Sequence, residues 1–338
     1  MNNLFILFFF ILNLHLLIPA AFMINLSVHL ITYNNEKHID ETLQSILKQK
    51  VDFTYEIVIG DDCSTDNTLN IINTYASKQP DIFNIVKNEK QLGILENFKA
   101  TLDRCRGTYV FDIAGDDLLK SDDAFQKMVT LLQNDSSLGF VDSGFDELNE
   151  SDNTITPFKN NTVINGSKED YKNAVLLGNV SPIGLCFNKS QLYKYVDFNA
   201  YLKMNLSIED YPILVDMVMQ TNFATVKESL HIYRVHDDSY SHQRNFENHL
   251  FLKNQMKTLF DYFSNEYNFS KHINELYSQN HNKELLFLAG YFEKKALGKE
   301  IFKKIKSKTI TDYVHYCASQ YNLVRKLISL RKKLLPFK

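Results

Sequence analysis

The chain has 338 residues, 44% of them apolar and 23% charged, which is the balance of a folded protein with room for one large core and an appendage. Its net charge of −3 supplies no global field that points to nucleic acid, and no nucleic-acid partner is expected of a chain whose larger part is acidic. Charge is unevenly placed: residues 291–338 hold thirteen Lys/Arg against three acidic side chains, leaving the preceding part acidic. Four scattered cysteines, Cys63, Cys105, Cys186 and Cys317, have no metal-ligand spacing and suit reduced thiols in a cytosol.

Residues 4–23 form an apolar run that carries Asn13 and His15, is broken at Pro19 and has no preceding Lys or Arg. Three readings stay open for residues 1–22: an extension upstream of a native start at Met23, a membrane anchor, or a cleaved signal. Asn25 to Asn34 then reads as a strand, and Ile39, Leu43, Ile46 and Leu47 have helical spacing. Tyr55 to Gly60 is a second buried strand. Asp61 and Asp62 follow it, and Ser64 or Thr65 is placed to cap the helix bearing Leu69, Ile72 and Tyr75. A short strand at Phe83 to Lys87 and a helix from Ile94 to Cys105 lead to a strand at Tyr109 to Ile113. That strand stops at Ala114-Gly115-Asp116-Asp117. A helix from about Asp122 to Leu132 and a strand at Gly139 to Asp142 follow.

Strands alternating with helical stretches of 10 to 15 residues predict right-handed βαβ crossovers and a mostly parallel sheet. Three strand ends finish in polar clusters, at Thr32-Tyr33-Asn34, Asp61-Asp62 and Asp116-Asp117. In a parallel sheet such ends share one edge, where open α/β sheets place ligands. Adjacent carboxylates there suit a divalent cation that also takes phosphate oxygens. From Ser143 to Gly178 the alternation is expected to fail in a polar loop with an Asn165-Gly166 turn signal. Order returns with a strand at Ile183 to Asn188, a helix opening at Glu209-Asp210 and a strand at Phe223 to His236. The region 241–338 reads as helical and basic.

In this order the chain resembles a family 2 glycosyltransferase of the GT-A fold over about residues 24 to 240. The matching residues are Thr32-Tyr33-Asn34 with Glu36, Asp61 to Asp66, Gly115-Asp116-Asp117, Glu209-Asp210 and Tyr233-Arg234-Val235-His236. The resemblance implies a GT-A domain at 23–240 with a mostly parallel sheet flanked by helices, followed by a helical appendage. It also implies inverting transfer of a sugar from a nucleotide diphosphate donor, a UDP-sugar foremost, with Mg2+ or Mn2+. Thr32, Tyr33, Glu36, Asp61, Asp62, Asp117 and Arg234 are then donor-binding candidates. Tyr33 would stack on the nucleobase, Asp62 would accept from a base N–H, and Arg234 would fork onto phosphate or pair with Asp237. Asp116 and His236 are the metal candidates. Asp210 is the general base, held ionised by the N–H groups of a helix N-terminus.

Ala114 stands where the family's first metal-motif Asp often lies, which removes one oxygen ligand and leaves open a nucleotide-sugar-binding protein without catalysis. A nucleotidyltransferase is disfavoured because no Gly-rich phosphate loop with a following Lys lies near the first strand. The expected acceptor is a glycan or lipid-linked glycan of the cell surface. The basic amphipathic tail fits peripheral contact with the inner face of the plasma membrane from the cytoplasm.

Overall fold

A computed structural model describes residues 24–157, 161–236 and 245–327. The apolar run before Met23, the end of the basic tail and Asp237 lie outside the described residues. The strands are β1 (Leu26–Thr32), β2 (Tyr55–Asp61), β3 (Phe83–Lys87), β4 (Tyr109–Ala114), β5 (Leu118–Leu119), β6 (Leu138–Asn149), β7 (Thr154–Pro157), β8 (Cys186–Asn188) and β9 (Asn222–Val235). The helices up to the middle of the chain are α1 (Ile39–Leu47), α2 (Thr68–Lys78), α3 (Ile94–Leu102), α4 (Ala124–Asn134), α5 (Asn161–Ile164) and α6 (Lys168–Leu176). They are followed by α7 (Lys189–Tyr195), α8 (Phe198–Lys203), α9 (Asp210–Gln220), α10 (Phe246–Glu266), α11 (Lys271–Tyr291), α12 (Lys295–Lys304) and α13 (Ile310–Gln320).

The nine strands form one sheet in the order β3-β2-β1-β4-β8-β6-β9-β5, with β7 paired to β6. The four strands from β3 to β4 are parallel, and β8, β6, β7 and the β5–β9 pair join antiparallel. The parallel half follows directly from its sequence. Leu26, Val28 and Leu30 of β1, Ile57 and Ile59 of β2, and Phe111 and Ile113 of β4 are buried because crossover helices cover the sheet. Those helices present Ile39, Leu43 and Ile46 from α1 and Phe125, Met128 and Leu132 from α4 to the same core.

The middle of the chain is more regular than its composition predicts. β6 runs on to Asn149, turns into β7, and α6 fills Lys168–Leu176 behind a capping box of Ser167 and Asp170. Buried polar residues conceal β6 in the sequence: Asp142, Ser143 and Asp146 all lie inside. Asp146 is tolerated there because Lys120 Nζ, at 2.6 Å, and Ser229 Oγ, at 2.7 Å, donate to its two oxygens. The cap of α2 also differs. The helix begins at Thr68, and it is Asp66 whose Oδ1 receives the Thr68 N–H, at 3.0 Å, in place of Ser64 or Thr65.

The chain divides into two compact units. One comprises the described residues up to Asn165 with Pro182–Met204 and Asp216–Arg234. The other comprises Gly166–Ser181, Asn205–Val215 and the chain from Val235 onward, and it contains α10 to α13. No helix among the described residues is long and apolar enough to cross a membrane. The four cysteines are free, and burial pushes the Cys105 thiol up to about 12 and that of Cys186 higher still.

Candidate active site

Strand register brings the three polar clusters to one edge of the first unit. Thr32 lies opposite Asp61 across β1 and β2, and Ile31 lies opposite Ala114 across β1 and β4. The loops of Tyr33, Asp62 and Asp116 therefore leave the sheet side by side. The approach is close enough to require glycine at 115: a Cβ there would sit 2.6 Å from Thr32 Oγ1. Gly115 is also gripped from α1, where Thr42 Oγ1 donates to its carbonyl at 3.0 Å.

The first two loops are laced together by the residues singled out in the sequence. Asn34 adopts φ 51°, a left-handed turn that Asn tolerates, and its N–H donates to Ser64 Oγ at 2.9 Å. Glu36 donates its N–H to Asp66 Oδ2 at 3.0 Å and accepts the Asn67 N–H on Oε2 at 2.9 Å. Its carboxylate thus joins loop to loop. Asp61 is fully buried; Oδ1 accepts from Ser64 N–H at 2.9 Å, and Oδ2 has no partner among the described residues.

Asp62 is engaged with the protein's own loop. Its Oδ1 accepts from Leu92 N–H at 2.7 Å and Asn88 Nδ2 at 3.0 Å, and Oδ2 accepts from Gly93 N–H at 3.0 Å. Three of the roughly four lone-pair positions of a carboxylate are filled by the loop that leads into α3. Tyr33 is 43% exposed.

Asp116 is half-buried and Asp117 buried. Burial pushes the Asp117 carboxyl well above the ordinary carboxylate range, and the Asp116 charge pushes it further. The Arg234 N–H, donating to Oδ1 at 3.1 Å, and the Arg234 charge pull the other way. Arg234 is 6% exposed, and each of its three guanidinium nitrogens donates to a protein oxygen. Nε donates to the Asp116 carbonyl at 2.9 Å, Nη1 to Glu150 at 3.0 Å, and Nη2 to Glu41 at 2.5 Å. These bonds make Arg234 a strut holding the Asp116 loop to α1 and to the residue after β6, where the sequence suggests a phosphate fork, and the suggested pairing with Asp237 lies outside the described residues. His236 is buried directly after β9.

Asp210 opens α9 in the second unit and is half-buried, with Oδ1 accepting the Tyr211 N–H at 2.6 Å. The next turn is fixed by Tyr211, whose buried hydroxyl donates to the Leu176 carbonyl at 3.0 Å and whose ring lies edge-on to Phe263. Two further polar residues escaped the sequence reading. His29, in the middle of β1, contacts Asp112 Oδ1 at 2.7 Å and the Phe98 carbonyl at 2.9 Å. Register explains the pair, since His29 and Asp112 face each other across β1 and β4. His231 on β9 is buried against Gly184 and Phe111, with neither ring nitrogen partnered among the described residues.

A sheet with a parallel half carrying carboxylates at its strand ends, an antiparallel continuation and flanking helices is the GT-A arrangement. The structure of Staphylococcus aureus TarS 1-349 in complex with UDP-GlcNAc has the same fold, with a TM-score of 0.52 at 16% identity over 91% of this chain and 92% of that one. The mannosyltransferase PcManGT from Pyrobaculum calidifontis, in complex with GDP-Man and Mn2+, gives a TM-score of 0.55 at 15% identity over 98% and 92%. In sequence, 92 residues are 38% identical to an uncharacterized protein of Mycobacterium tuberculosis. That alignment spans 27% of this chain and 27% of the relative's length. Residues 27–190 match the family model described as Glycosyl transferase family 2, and that stretch of the chain belongs to the family.

Proposed function

We propose that the chain is an inverting glycosyltransferase that moves a sugar from a nucleotide diphosphate donor, a UDP-sugar foremost, to a hydroxyl of a glycan or lipid-linked acceptor in cell-surface polysaccharide synthesis. The observation that carries this reading is the register of β1, β2 and β4, which collects Thr32, Asp61 and Asp62, and Asp116 and Asp117 at one strand-end edge. Tyr33 offers an exposed ring for a nucleobase to stack on. Asp62 retains about one lone-pair position for a base N–H, while its other contacts hold the loop that borders it.

The donor set fits a hard divalent cation. Two adjacent carboxylates, one of them buried and crowded by the other's charge, form a site that positive charge relieves. Asp116, with His236 two residues beyond Arg234, would hold Mg2+ or Mn2+, and the ion would supply charge stabilisation for the departing nucleotide diphosphate. Arg234 keeps the Asp116 carbonyl in place. Asp210, at the N-terminus of α9, accepts the proton of the acceptor hydroxyl as that oxygen attacks the sugar. The basic C-terminal region holds the enzyme peripherally at the cytoplasmic face of the plasma membrane, where lipid-linked acceptors are found.

Thermal unfolding with UDP-, GDP- and dTDP-sugars, with and without Mn2+, tests the donor reading. One nucleotide series is expected to stabilise the chain, more strongly with the metal. Asp210→Asn is expected to lower transfer about 10²- to 10⁴-fold with that donor shift retained. Turnover retained in the variant would reject Asp210 as the base.

A further inference from the structure

Helix α13 is turned inside out. The residues it buries are Asp312, Ala318 and Ser319, whereas Ile310, Tyr313 and Val314, at helical spacing, are 84%, 53% and 38% exposed. The cause is a seam of small residues. A Cβ at Gly298 would lie 2.7 Å from Ser319 Cβ, and one at Gly290 would lie 2.8 Å from the His315 carbonyl. At these two glycines the helix lies too close to α11 and α12 for a side chain between them; Tyr316 packs inward on Phe302, while Ile310, Tyr313 and Val314 are left on the outer side.

The exposed ridge is flanked on both sides by aromatic rings. Tyr313 lies edge-on to Phe302 at 5.1 Å, and Lys308 Nζ stands over the same Phe302 ring at 5.0 Å. On the other flank His315 contacts Phe287, which stacks with Tyr291 at 6.1 Å, and these two rings are 43% and 52% exposed. Exposed lysines stand at 303, 304 and 306 on the segment leading into α13 and at 326 after it, Lys304 being paired with Glu300 at 2.7 Å.

We infer that the outer ridge of α13 is a bilayer-seating surface, inserting Ile310, Tyr313 and Val314 among the headgroups of an anionic membrane. Apolar residues bordered by amphipathic aromatics and lysines match the interfacial zone of a bilayer. A helix of 11 residues is too short to span, so it lies in the plane of the interface. Charge decides against a second copy of the chain, because a two-fold contact through this patch would set its lysines against themselves. An anionic lipid surface offers the opposite charge. The inference deepens the peripheral membrane contact proposed above and rests on the second unit alone. Its test involves no turnover, so its failure leaves the transferase reading standing.

The experiment is co-sedimentation of the full chain with vesicles of phosphatidylglycerol and phosphatidylcholine, against phosphatidylcholine alone. Binding to the mixed vesicles is expected, and Ile310→Ser/Tyr313→Ser/Val314→Ser is expected to weaken it about tenfold or more at an unchanged unfolding temperature. Equal binding by the variant would overturn the inference. The chain has no tryptophan, so Tyr313→Trp makes a single reporter on an otherwise intact ridge. Its emission is expected to shift to the blue with the mixed vesicles, and pelleting without that shift would overturn the inference. So would a concentration-dependent dimer in lipid-free solution that the triple substitution abolishes, which would give the ridge to a second copy.

Discussion

Two regions of this protein reverse the usual distribution of side chains, in opposite senses. At the ends of β2 and β4 carboxylates go inside, and on α13 apolar residues stay outside. The buried acids survive because N–H groups meet them: three around Asp62, one on Asp61 and the Arg234 backbone on Asp117. The exposed ridge needs no such support, since its conformation is set by the small residues beneath it. Substitutions at the candidate sheet-edge site are therefore expected to change stability along with any chemistry, whereas on α13 the proposed binding and stability are expected to separate.

The largest effect expected from this contrast is on turnover. Asp116→Ala should lower transfer about 10²- to 10³-fold and abolish the metal-dependent part of donor stabilisation, read by steady-state rates and thermal shift. Arg234→Gln comes next. It removes one partner from exposed Glu150, which keeps His38 at 3.4 Å, and from exposed Glu41, and it frees the Asp116 carbonyl, so chemical denaturation should report a loss of about 1–2 kcal/mol. If the variant keeps full stability and only donor affinity falls, Arg234 is a ligand to the donor and the strut reading breaks.

His231 sharpens the contrast through pH. Burial lowers its pKa from 6.5 to about 3, so the unfolded chain takes up this proton well before the folded one. Its contribution to stability is intact above the unfolded value and is lost as pH falls from 6.5 toward 3, by about 2 kcal/mol at pH 5. Urea midpoints at pH 7 and pH 5 should converge for His231→Leu relative to the parent chain; equal acid losses in both would remove His231 as the cause. The smallest effect belongs to α13, where the triple serine substitution of the ridge should leave unfolding free energy within about 0.5 kcal/mol. A larger loss would mean that the ridge is part of the core.

The parallel half of the fold is legible because β1, β2 and β4 are continuous apolar runs between amphipathic helices. The length of β6 is not, because Asp142, Ser143 and Asp146 interrupt its pattern and their partners lie elsewhere in the chain. At the site, Asp62 and Asp116 stand out by position after strands. The employment of Asp62 could not be read, since its partners Leu92 and Gly93 donate through the backbone, which any residue carries. Arg234 was visible as a residue but not as a strut: Glu41 and Glu150 lie 193 and 84 positions away, beyond any local spacing rule. His29 and Asp112 meet only through strand register.

The closing position of β9 bears on how the protein is made. A ribosome has delivered residues 27–190, the whole family-matched stretch, before β9 exists, yet β5 pairs with β9, and β6 lies beside it. The first unit therefore stays open during synthesis, with sheet edges unpaired, until Arg234 has left the exit tunnel. An expression fragment drawn at the limits of the sequence match would freeze that unfinished intermediate.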